Sequence, residues 1–232
     1  MSLRSRSAIL LVAAALVAPA AASAQPRGRG PYAEPPGPAD QGIVLSGRIG
    51  YGFPSGDLAS PSEFQGVPQR VSDTWDAKVP FWLEVGYRFT GSVWGMAYLE
   101  LAPADITSSA CAGGDCSGSD VRVGLELQYH FLPRQQLDPW LGIGFGAEFL
   151  NSTLHGAPDL DQRYSGWEFP LLEGGLDFAV TRRFTLGPYA SLSFGQFTSY
   201  REELGGTATT FDLHDQAWHS WFQIGAKGTF KL

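Results

Sequence analysis

The sequence is poor in several things that other protein classes need. It has only two cysteines and two methionines in 232 residues. Its 16 lysines and arginines are outnumbered by 23 aspartates and glutamates, which excludes the basic surface that nucleic acid demands. Beyond its first segment it has no apolar run of about 18 residues, so it contains no transmembrane helix. Nothing in it carries a helical period over a useful length. The two cysteines, Cys111 and Cys116 in "CAGGDC", have no third cysteine to complete a metal site, and the nearest histidines in sequence are His130 and His155. In an oxidising compartment they form a local disulfide. Closing so small a ring stabilises by about 2 kcal/mol on the chain-entropy model.

The chain opens with Arg4 and Arg6, the apolar run "AILLVAAALVA" and the small-residue signal "ASA" ending at Ala24. Residues 1–24 therefore read as a cleaved secretory signal peptide, the apolar run being too short for a membrane anchor. No cysteine follows the run, so no lipid attachment is expected. Residues 25–42, "QPRGRGPYAEPPGPADQG", are rich in proline and glycine and read as a disordered arm. One domain of residues 43–232 follows.

What is present is alternation. In "VRVGLELQYHF", Val121, Val123, Leu125, Leu127, Tyr129 and Phe131 alternate with Arg122, Gly124, Glu126, Gln128 and His130. Period two makes a strand with one oily and one polar face. The pattern recurs eight times, at about 43–53, 78–89, 93–102, 121–131, 140–149, 166–180, 184–197 and 218–232. Tight or short connections at 90–92, 132–138 and 181–183 alternate with long polar segments at 54–77, 103–119, 150–165 and 198–217. That rhythm predicts an all-β fold, an eight-stranded antiparallel up-and-down transmembrane β-barrel. Alternation alone also fits a soluble periplasmic barrel around a small ligand. Three features favour the membrane form. Glycines crowd the polar face, as at Gly142, Gly144 and Gly146. Aromatics gather at the strand ends of the oily face in two girdles. The chain is exported.

The eight alternating strands, the "GYGFPSGD" exit from the first and the closing "WFQIGAKGTFKL" resemble the small outer-membrane β-barrel superfamily of the OmpA and OmpX type. The resemblance implies a bacterial outer membrane with both termini periplasmic. It also implies monomers among lipid and lipopolysaccharide, and recognition of Phe230 and Leu232 by the barrel assembly machinery. The last residue departs from the family pattern, being Leu232 where an aromatic is usual. No peptidoglycan-binding domain follows, so that function is not carried over.

The polar face supplies the candidate site. Counting from the turns puts Arg48, Glu84, Glu100, Glu126 and Glu173 near mid-height, Arg122 above them, and Asp177 and Lys227 below. A lumen of eight strands is just wide enough for side chains to fill. Pairing among these charges predicts a plug. The role expected is structural or surface-interacting, with a plugged or narrowly gated lumen and no cofactor, metal or catalytic residue. The alternative is a lipid A-modifying enzyme. Against it, His219 and Ser220 are adjacent and point to opposite faces, and the trio of Ser152, His155 and Asp159 is ordinary loop polarity. The four long segments carry twelve acids and three bases, which reads first as solubility. The short turns are basic, with Arg134, Arg182 and Arg183.

Overall fold

Alternation forces each strand to show one row to the interior and the other to the exterior, and ring closure then fixes which is which. The computed structural model describes residues 41–60, 69–111, 115–155 and 159–232. The expected signal peptide and nearly all of the proline-rich arm lie outside the described residues. The elements in order are β1 (Gly42–Ala59), β2 (Gln69–Arg70), α1 (Val71–Thr74), β3 (Trp75–Lys78), β4 (Phe81–Arg88), β5 (Val93–Ile106), α2 (Ser108–Cys111), β6 (Asp115–His130), β7 (Leu137–His155), β8 (Leu160–Ala179), β9 (Phe184–Leu204), β10 (Thr207–Asp212) and β11 (His219–Lys231). No helix among the described residues is long and apolar enough to cross a membrane, which says nothing about strands.

The ring runs β1, β4, β5, β6, β7, β8, β9, β11 and back to β1, antiparallel at every step. β3 carries the line of β4 onward past Pro80, pairing with β5 and touching β1 at Gly52. Two of the three short turns share one device. Thr90 Oγ1 accepts the Val93 amide at 3.0 Å, and Thr181 Oγ1 accepts the Phe184 amide at 3.0 Å. A threonine that caps its own turn explains why "TGSV" and "TRRF" reverse the chain so tightly.

The oily rows face out. Leu83, Leu125, Ile49 and Ile224 are exposed on the exterior, while Glu84, Glu126, Arg48 and Gln223 beside them are buried. This is inverted from a soluble barrel and matches a wall that stands in hydrocarbon.

The long-loop end differs from the sequence reading. Residues expected to be polar loops continue the strands: β1 runs to Ala59, β5 to Ile106, β7 to His155 and β9 to Leu204, while β6 starts at Asp115 and β8 at Leu160. Above the lipid both faces of a strand can be wet, so the apolar alternation stops where the membrane does and not where the strand does. β10 hairpins back onto β9 through Gly205 and Gly206, whose φ values of 57° and 85° suit glycine. The disulfide Cys111–Cys116 joins the end of α2 to the start of β6.

One break interrupts the wall. At residues 168–171 of β8 the register shifts against both β7 and β9. Pro170 has no amide to donate to the ladder there. The extra residue turns Leu171 inward, where it packs with Trp82 and Tyr98.

Candidate functional site: the filled lumen

Strands in a closed barrel tilt, so a hydrogen-bonded row climbs as it goes round. One such row is Lys227, Arg48, Trp82, Glu100, Arg122 and Glu148, each residue opposite the next on the neighbouring strand. It begins nearer the short turns and ends nearer the long loops. The inward charges therefore separate into layers.

The middle layer is centred on Arg48. Its guanidinium meets Glu84 through Nε and Glu173 through Nη1, and its Nη2 donates to both oxygens of Glu126 at 2.9 and 3.1 Å. Trp82, Tyr189 and Trp140 surround it, with ring centroids 4.9, 5.2 and 5.4 Å from the guanidinium carbon. The planar fork of arginine suits three carboxylates arriving from three strands.

The next layer, towards the long loops, is built on Arg122 and Lys78. Arg122 reaches Asp120 at 3.0 Å, Glu148 at 2.7 Å, Ser193 Oγ at 2.7 Å, and Glu168. Lys78 pairs with Asp120 and, at 2.5 Å, with Glu100. Around them, Tyr98 donates to Glu168 at 2.8 Å and Trp221 Nε1 to Glu148 at 3.0 Å. His219 Nε2 lies 2.7 Å from the other oxygen of Glu148. Gln223 donates to Glu100 and accepts from Trp82 Nε1.

Further buried side chains lie at both ends. Towards the long loops, Leu58, Val71, Trp75, Tyr164, Phe197 and Leu213 are among the residues forming a buried cap. Towards the short turns, His130 lies flat on Trp94 with ring centroids 3.7 Å apart, and its Nδ1 is 2.8 Å from Asp138. Lys227 donates to Gln128 at 2.8 Å and stands 3.9 Å from the Trp140 ring centroid.

Of the residues singled out in the sequence, Arg48, Glu84, Glu126 and Glu173 meet in one cluster. Glu100 does not join it: the climb of the row carries it to Lys78 and within 3.9 Å of Arg122. Asp177 lies apart, accepting from Thr185 at 3.2 Å. Lys78, Asp120, Glu148, Glu168 and the buried tryptophans Trp75, Trp82, Trp94, Trp140 and Trp221 complete the filling. Parity would have found Trp82, two residues from Glu84, and Trp94, six from Glu100. Leu171, two residues from Glu173, shares its parity, but Glu168 was beyond it, because the irregularity between Glu168 and Leu171 changes the face.

Nine buried carboxylates face four buried lysines and arginines among the described residues. Among the described residues no group of three or more His, Cys, Asp or Glu is placed to hold a metal ion. Ser152 donates to Gln162 at 3.4 Å. Beyond the apolar band, burial and then the bond to Glu202 push the Tyr200 hydroxyl well above the ordinary tyrosine value.

No protein-family model matches the sequence, and no curated protein does. Solved structures do. Neisserial surface protein A, 13% identical, is matched over 82% of this chain and 97% of its own, with a TM-score of 0.51. The fold is that of a small outer-membrane β-barrel. Two further barrels match with lower TM-scores. The outer membrane protein AlkL, solved in lipid bilayers, is 19% identical over 88% of this chain and 97% of its own, with a TM-score of 0.49. OprG of Pseudomonas aeruginosa is 12% identical over 82% and 96%, with a TM-score of 0.46.

Proposed function

We propose that this chain is a non-enzymatic barrel of a bacterial outer membrane, closed to steady ion flow, which presents its long-loop end to the outside. Both termini then lie in the periplasm. One observation carries the reading. Two arginine-centred layers are stacked between an apolar cap and an aromatic floor, an arrangement that supports a lumen closed to solutes. Its surroundings are outer-membrane lipid and lipopolysaccharide, and the basic short turns at Arg134, Arg182 and Arg183 suit anionic head groups of the inner leaflet. The last strand, ending in Phe230 and Leu232, is what the barrel assembly machinery would engage, and the closed ring needs no second copy. The acidic lumen gives any leak a cation preference. The test is single-channel recording of the purified protein in a planar bilayer at fixed salt. Little or no steady conductance is expected. A large, constantly open conductance would overturn the closed lumen and make the protein a porin.

A further inference from the structure

The inward face of the wall continues past the apolar cap. Leu150 and Tyr164 lie in the cap, opposite each other on β7 and β8. One inward step nearer the mouth, Ser152 stands opposite Gln162. One step further, Leu154 stands between Cys116 and Leu160. With Ile106 at the end of β5, and α1 and α2 covering the far side, these residues line a pocket of about 200 Å³. Barrel mouths commonly hold small ligands.

The pocket is held open by its frame. The Thr107 amide donates to the Thr74 carbonyl at 2.8 Å, and the Thr107 hydroxyl donates to the Asp73 carbonyl at 2.6 Å, which ties α2 to α1. The Cys111–Cys116 disulfide ties α2 to β6.

Size, charge and hydrogen-bond direction each select the occupant. A cavity of roughly 150 Å³ accepts benzene, so this one has room for a single ring with a short substituent. No charged side chain lines it, so an ion would lose its water without gaining a counter-charge. The polar groups beside it run in one direction. Tyr200 donates to Glu202, Gln162 Nε2 donates to the Tyr200 hydroxyl at 2.9 Å, and Ser152 donates to Gln162 Oε1 at 3.4 Å. The Ser152 proton is thus committed to Gln162, and Ser152 Oγ meets the pocket with its lone pairs. The occupant must bring the donor. An aliphatic amine would bring one only with a charge, which leaves a hydroxyl.

We infer that the mouth pocket binds a small uncharged alcohol or phenol with a ring-sized apolar body, its hydroxyl donating to Ser152 Oγ and its ring lying against Ile106, Leu154 and Leu160. The pocket lies above the cap, so its occupancy does not depend on whether the lumen conducts.

The full-length protein in lipid nanodiscs is titrated with para-fluorobenzyl alcohol and followed by fluorine NMR, with empty nanodiscs correcting for partition into lipid. Para-fluorotoluene, which lacks the donor, and para-fluorobenzoate, which is charged, are the comparison probes. The alcohol should bind saturably, and each comparison probe at least about threefold more weakly. Ser152→Ala should weaken the alcohol by about threefold to tenfold and leave fluorotoluene unchanged. Leu154→Trp should fill the pocket and abolish binding. Ala110→Trp should do the same from the exposed side of α2, leaving the strands untouched. Absence of saturable binding, equal binding of either comparison probe, an unmoved affinity in Ser152→Ala, or binding that survives both tryptophan variants would overturn the inference.

Discussion

Arg48 holds the middle of the interior together, since it pairs at once with Glu84, Glu126 and Glu173. Removing one partner of a buried ionic cluster costs about 3–5 kcal/mol, because the remaining charges stay desolvated. Arg48→Ala should lose about that much stability, measured by urea unfolding in lipid vesicles with tryptophan fluorescence. Arg48→Lys keeps the charge but not the fork, and should fall between the two. The two faces of one strand give a second contrast. Leu125 is exposed on the exterior of β6, and Gln128 is buried three residues on. Leu125→Arg should cost about 2–4 kcal/mol in the same assay. Gln128→Arg should be milder: the new guanidinium would sit beside Glu126, although near Lys227. Equal losses would mean that the facing is wrong. At this scale the sequence was legible, because period two settles which of two neighbours points inward. Partnership was not. Glu100 counts to the same height as Arg48 from the turns, but tilt lifts its row to Lys78.

Among the elements, the eight strands were legible where lipid touches them and illegible beyond it. Hydrocarbon demands an apolar residue at every second place, whereas water on both faces of β7, β8 and β9 demands nothing periodic. That is why β10 and the upper halves of its neighbours read as loop. α1 and β3 were hidden for another reason: four residues carry no period at all. They nonetheless deliver Val71 and Trp75 into the cap. Trp75→Ala should cost about 3–5 kcal/mol, as truncation of a buried tryptophan does. The same variant should still hold no steady current, because the Arg122 layer lies beneath the cap. A loss of stability without a pore, read by unfolding and by bilayer recording, is the expected pair of results.

For the whole molecule, closure is the property that matters most. A ladder with no loose end in the membrane-spanning ring resists detergent, so unheated protein should run faster than boiled protein on a denaturing gel. Identical migration would count heavily against the barrel. Closure also bears on permeability. Arg48→Ala removes one layer but leaves the Arg122 layer and the Trp94–His130 floor, so the expected currents are brief and cation-selective. Steady flow should require loss of both layers. The architecture was legible from the rhythm of long and short connections. The double layering was not, since it depends on how far the ring shears as it closes.

The seam between first and last strands has a practical consequence. Val44 pairs with Lys231, and the Leu232 amide donates to the Ile43 carbonyl at 3.0 Å. The ends of the barrel domain are thus neighbours across one ladder at the short-turn end. A few glycines and serines would join them. With new termini cut between β1 and β2, the chain would enter the wall at a different strand and still complete the same circle. Its closing strand would then be the one that was once its first.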